Sequence, residues 1–189
     1  MFSIRHLLAV AAALVVSTQA AAEAYRARDV GNWIVAASED DSGCFLTRQY
    51  DGVGKTTLLL GLDIDGTNHL SVLNDNWSIK PRQRLTLNYR LSNGGYTDHV
   101  SIGMASDGKR GFVTTFETKF LGYFATSEAL QISNGDVPVE ELGLAGSGAA
   151  VAELRRCVAT RRVGGAAAAS ERERPRAIPK DPFAQRAKP

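Results

Sequence analysis

The sequence is poor in the side chains that carry chemistry, and each shortage removes a class of function. It has two cysteines, three histidines and two tryptophans in 189 residues. There is no Cys-x-x-Cys, so a dithiol redox site and a catalytic thiol are not expected. A structural zinc site takes about four ligands, and beyond the leader the sequence offers only His69 and His99 besides the two cysteines, so no metal site is expected. No Gly-x-Ser-x-Gly elbow of a serine hydrolase is present. After the leader no apolar run is long enough to span a bilayer, which excludes a later transmembrane helix. Prolines number six, and four of them fall near the C-terminus (Pro175, Pro179, Pro182, Pro189).

What is present begins with an export signal. Arg5 and His6 form a basic start, Leu7 to Val16 an apolar run, and Ala20, Ala22 and Ala24 the small-residue spacing of a cleavage site. The apolar run would reach about 15 Å as a helix, roughly half of a hydrocarbon core, so a signal peptide over 1–24 fits better than an anchor. The protein is therefore expected in the periplasm or secreted. Two cysteines in an exported chain, Cys44 and Cys157, most simply form one disulfide. Two buried free thiols are the alternative.

Charge divides the chain. Residues 25–154 carry 11 Lys/Arg and 16 Asp/Glu, a balance of −5, whereas residues 155–189 carry 10 and 3, a balance of +7. The segment 163–189 opens on Gly164 and Gly165 and four alanines, becomes basic and proline-rich, and keeps only Ile178 and Phe183 as large apolar residues after Val163. Such a composition buries too little surface to offset ordering entropy, so a disordered tail is expected. A sharper expectation makes the tail a contact arm for an anionic surface such as lipopolysaccharide, anionic lipid or peptidoglycan. Nucleic acid is not an expected partner, because the basic residues are not interleaved with aromatics.

Residues 25–162 read as one β-rich domain. Val30–Ala37, Cys44–Tyr50, Thr56–Ile64, His69–Leu73, Arg84–Leu91, His99–Met104, Gly111–Phe116, Leu130–Ser133 and Val137–Leu144 read as strands, cut by Asp65-Gly66, Asn93-Gly94, Asp107-Gly108 and Asn134-Gly135. Regular spacing of this kind predicts an antiparallel β-sandwich or barrel. Phe120, Leu121, Tyr123 and Phe124 crowd into a short helical turn. One C-terminal α-helix is predicted over Gly148–Val158, with Ser147 as N-cap and Ala150, Leu154, Cys157 and Val158 as its apolar stripe. A Cys44–Cys157 bond would staple that helix to an early strand.

Motif fragments reduce to turns. Gly52-Val53-Gly54-Lys55-Thr56 lacks the first glycine of a phosphate loop, since Gln49 stands there. Asp41-Ser42-Gly43 has no second copy to share a proton with, as an aspartic protease would need. Asp63-Ile64-Asp65-Gly66 has Asn74 where a calcium loop needs its glutamate. His69 and His99, with Ser71 and Ser101 close in sequence, are the general-base candidates of a small hydrolase or cell-wall enzyme. Most aromatics read as core. Trp77, in the polar run Asn74-Asp75-Asn76-Trp77-Ser78, is the exception and the one candidate ligand-binding residue, because an indole in a polar turn is unusual.

The order of these features resembles small exported β proteins of Gram-negative bacteria of the invasion-associated locus B type. The carrying residues are Gly31 to Trp33, the Cys44 strand, Phe120 to Phe124 before Ala129–Ile132, and Leu142 to Leu154, where a strand passes through small residues into a helix near a cysteine. The resemblance spans about residues 30–158 and implies a periplasmic or outer-surface β domain without catalytic residues. The basic proline-rich tail departs from that pattern. Taken together, the residues lead to a non-enzymatic exported binding module of the cell envelope, with no cofactor and an envelope or protein partner. The alternatives are the hydrolase using His69 or His99 and an inhibitor of host or competitor enzymes acting through the loop 74–82.

Overall fold

The computed structural model describes residues 25–172, so the expected signal peptide over 1–24 and residues 173–189 of the expected tail lie outside the described residues. Ten strands form one antiparallel sheet: β1 (Arg28–Val30), β2 (Trp33–Ala37), β3 (Gly43–Gln49), β4 (Thr57–Asp63), β5 (Asn68–Asn74), β6 (Arg84–Leu91), β7 (Gly94–Ser106), β8 (Lys109–Phe116), β9 (Ala129–Asn134) and β10 (Val137–Gly143). Two helices accompany them, the short α1 (Phe120–Thr126) and the long α2 (Ser147–Arg172). The expected class is met: mainly β, antiparallel, with one long C-terminal helix and one disulfide.

The strand order is β1-β2-β3-β4-β5-β8-β7-β6-β9-β10. The first five strands meander. The chain then crosses to β6, returns through two hairpins to place β8 beside β5, and crosses again through α1 to set β9 on the far side of β6. The sheet does not close, and β1 and β10 remain its edges. It curls, however, until β10 reaches the ends of β3 and β4. Arg48 Nη1 and Tyr50 Oη donate to Gly143 O at 3.0 and 2.9 Å, and Thr56 Oγ1 donates to Glu140 at 2.6 Å. Side chains thus form a seam where a barrel would have a backbone ladder.

Alternation explains the inner face. Leu58, Leu60 and Leu62 of β4, Leu70 and Val72 of β5, and Leu87, Tyr89 and Leu91 of β6 are buried at period two. Val30–Ala37, expected as one strand, is two: Gly31 takes a φ of +61° and turns the chain between β1 and β2. β7 runs 13 residues, well beyond the expected His99–Met104, because it pairs with β6 at one end and β8 at the other.

α2 lies over β2 and β3, with Ala150, Val151, Leu154, Cys157 and Val158 buried. Cys157 bonds Cys44 across 113 residues, with Cα atoms 6.2 Å apart. Ser147 differs from its expected capping role. It is buried, and its Oγ donates to Phe124 O at 2.9 Å, which ties α1 to the start of α2. Trp33 Nε1 donates to Ala145 O at 2.9 Å and its ring meets Phe124 edge-on, fixing the same junction from the sheet side. Among the described residues no helix is long and apolar enough to cross a membrane.

Candidate binding groove

α2 covers only part of the inner face. Toward β6, β8 and β10 the curled sheet ends in a mouth that the connection between β5 and β6 partly covers. That connection is held at both ends. At its start, the buried Asn74 accepts from Asn76 N at 2.8 Å through its Oδ1, and its Nδ2 donates to Val53 O at 3.2 Å and Thr56 Oγ1 at 2.8 Å. Asp75 N donates to Gly54 O at 2.8 Å. Gly54 has a φ of +82°, and a Cβ there would lie 2.0 Å from Asn74 Oδ1, so this contact requires glycine twice over. At its far end, Arg82 N donates to Gly103 O and Gly103 N to Gln83 O, both at 2.7 Å. A Cβ on Gly103 would meet Lys80 O at 2.1 Å.

Between these clamps the chain lays Trp77 and Ile79 on the edge of the core. Trp77 stacks on the buried Phe112 with ring centroids 5.7 Å apart and planes at 10°, and it remains half-buried. Facing it are Pro138 and Val139 of β10, where the β9–β10 register shifts between Pro138 and Glu140. The open groove has a volume of about 430 Å³, an apolar floor including Leu85 and Leu87, and an uncharged rim of Asn76, Ser78, Gln83 and Asn134. At Pro138 and Val139 it meets a second, larger groove of about 980 Å³ on β6, β9 and β10, which carries Arg90, Asp136, Glu140 and Glu141.

The two histidines are not brought together. His69 and Thr115 are cross-strand partners on the face opposite the buried Leu70 and Thr114. There His69 Nδ1 lies 3.1 Å from Thr115 Oγ1, and its Nε2 lies 3.0 Å from Asp63 Oδ2. His99 belongs to the inner side, stacked on Phe116 at 4.6 Å and met edge-on by Tyr89, with its Nε2 3.0 Å from Thr115 O. Neither histidine lines either groove. Ser71 and Ser101 do not meet them as nucleophiles; Ser101 is fully buried and shares a 2.6 Å hydrogen bond with Tyr89 Oη. Among the described residues no cluster of three or more His, Cys, Asp or Glu is placed to hold a metal ion.

One polar cluster has no clear signal in the sequence. Glu153, on α2 one turn before Cys157, is buried and takes a hydrogen bond from Tyr25 Oη at 2.7 Å, an ion pair with Arg28 at 3.4 Å, and one with Arg156. Burial, and then the Glu153 carboxylate, push the Tyr25 hydroxyl up to about 12. The partners are 128 residues apart, and only the (i, i+3) pair with Arg156 is local. This cluster ties the start of the described chain, Tyr25 to Arg28, to the helix that carries the disulfide.

No family model matches the chain, and no curated protein resembles it in sequence. Among solved structures it is similar to the crystal structure of invasion associated protein B from Bartonella henselae, with a TM-score of 0.53 and 13% identity over 70% of this chain and 97% of that one. At that identity the likeness shows a shared fold.

Proposed function

We propose that this protein is an exported, non-enzymatic binding module of the cell envelope, and that it engages its ligand at the Trp77 groove. The observation that carries the reading is the clamped loop. Two glycines and a buried asparagine hold a half-buried indole on a mouth with an apolar floor. Ligand sites are commonly concave and apolar with a few polar groups at the rim, and Trp is enriched where binding energy concentrates. The disulfide fits an oxidising compartment, and the solved neighbour is named for an association with invasion, which supports a surface role. His69 and His99 stand on opposite faces of the sheet, which favours binding over hydrolysis. The basic segment 163–189 adds a contact for anionic envelope surfaces, on the charge balance of the sequence.

The test is retention of envelope extract on the immobilised mature protein, compared with Trp77→Ala and with a chain lacking 164–189. Loss of a retained species with Trp77→Ala is the expected result. Retention unchanged by Trp77→Ala would overturn the groove as the site. A further loss on tail deletion that weakens with salt would report the anionic contact.

A further inference from the structure

We propose that the Trp77 groove receives the segment Arg176–Pro182 of a second copy of this chain; the inference rests on reading that groove as a binding site. The segment reads Arg176-Ala177-Ile178-Pro179-Lys180-Asp181-Pro182. A polyproline II helix has three residues per turn, so Arg176, Pro179 and Pro182 fall on one face in that conformation. Proline fixes φ in advance and lowers the ordering cost on binding. Proline-rich segments of this spacing dock in grooves walled by aromatic rings.

The groove offers those parts. Trp77 on Phe112 forms one wall, and Pro138 and Val139 the other. Beyond Pro138 and Val139 the larger groove carries three carboxylates, Asp136, Glu140 and Glu141, against one base, Arg90. On the opposite side the loop carries exposed Lys80 and Arg82. The tail segment is polar in the same sense. Arg174 and Arg176 make its N-terminal end positive, whereas Lys180 and Asp181 between Pro179 and Pro182 cancel. Charge therefore selects one direction, with Arg176 toward Asp136 and Glu141 and the neutral end of the segment toward Lys80 and Arg82.

Reach assigns the occupant to another copy. Arg161 pairs with Asp41 and Arg162 Nε donates to Ile64 O, so α2 leaves the domain beside the β2–β3 and β4–β5 turns. Trp77 follows the opposite end of β5, seven residues or about 24 Å away. Ten further helical residues to Arg172 add about 15 Å beyond those turns. Only four residues separate Arg172 from Arg176, which span at most about 14 Å. The segment falls short of its own groove. A tail entering a neighbour's groove is a head-to-tail contact that uses two different surfaces, so it propagates and does not close as a symmetric dimer.

Sedimentation of the full mature chain tests this. The expected result is a weight-average mass that rises with concentration between about 10 µM and about 1 mM, the range of a weak transient contact. Trp77→Ala loses the groove and Pro179→Ala/Pro182→Ala loses the segment, so each alone is expected to stay monomeric. Mixed, they should form one-to-one pairs and grow no further, because one supplies the tail and the other the groove. Arg176→Glu should be monomeric by itself and regain association on Glu141→Arg, a rescue that a folding defect would not show. A wild-type mass constant over the whole range, or association equally strong in Trp77→Ala, would overturn the inference. If the wild type is monomeric but envelope retention still depends on Trp77, this inference fails and the groove reading stands; if both signals are absent, both fail.

Discussion

The two halves of the inner face are finished by opposite means. Under α2, strands β1 to β4 are closed by a helix, a disulfide and a buried carboxylate. Val35, Cys44, Leu46 and Leu60 from the sheet and Leu154 and Cys157 from the helix have no exposed surface. At the other end, β6, β8 and β10 are covered by a nine-residue connection, 75–83, and Trp77, Ile79, Leu85 and Val139 stay half-buried. The first half holds its shape by covalent bonding and dense packing. The second holds it by backbone hydrogen bonds at two glycines, which leaves its apolar surface available. A domain of this size can keep such a mouth because its stability is concentrated elsewhere, and binding surfaces tend to come from the less protected parts of a fold.

The strongest way to break the comparison is to remove the staple. Cys44→Ala/Cys157→Ala opens a loop of 113 residues, for which the chain-entropy model gives a loss of about 4–5 kcal/mol. Chemical denaturation of oxidised wild type against the double variant measures it. A loss under about 1 kcal/mol would mean that the helix is held by packing alone, within the range of a single ordinary substitution. Binding at the groove should survive in whatever fraction stays folded, since α2 packs on β1 to β4 and α1 and does not line the groove.

How much of this difference is legible in the sequence depends on whether the signal is local. Alternation places Leu85, Leu87, Tyr89 and Leu91 on one face of β6, and helical spacing places Cys157 inward, because both patterns live within ten residues. Ser147 reads locally as a cap because capping and long-range tethering use the same hydroxyl, and only the fold brings Phe124 O within its reach. The groove was visible only as an indole out of place in a polar run. Its floor is non-local. Phe112 comes under Trp77 because β8 returns to pair with β5, and Val139 faces it because β9 crosses to the outer side of β6. Nothing in the spacing of residues 74 to 139 specifies that order. The separation of His69 from His99 follows from parity within β5 and β7, but which strands lie between them does not.

A smaller effect is expected at the open end. Gly103→Ala forces a Cβ against Lys80 O at 2.1 Å, and backbone on that side has no flexible atom to yield. Overpacking of this kind costs about 1–3 kcal/mol, and the substitution should also release the loop. The comparison predicts a specific pattern: amide exchange speeds up over 76–83 while protection across α2, β2 and β3 is unchanged. Equal loosening of both halves would show that the two ends are one cooperative unit.

The smallest effect is a pH dependence that spans both halves. Burial raises Tyr50 at the seam to about 12, burial and then Glu153 raise Tyr25 at the helix to about 12, and burial raises Tyr89, in the core under β6, further still. A tyrosine whose folded value lies above its unfolded one, near 10, favours folding fully below pH 10. The unfolded chain begins to ionise there while the folded chain keeps its protons, so that contribution falls from about pH 10 and is gone once the folded groups ionise. Stability should therefore be flat through neutral pH as far as these groups are concerned and decline in alkali. Tyr25→Phe separates the halves. It removes the hydroxyl on Glu153, so the remaining tyrosine decline belongs to Tyr50, Tyr89 and Tyr96, the last also raised by burial. An alkaline profile unchanged by Tyr25→Phe would mean that the Glu153 cluster adds nothing to the helix end beyond the disulfide and the apolar stripe.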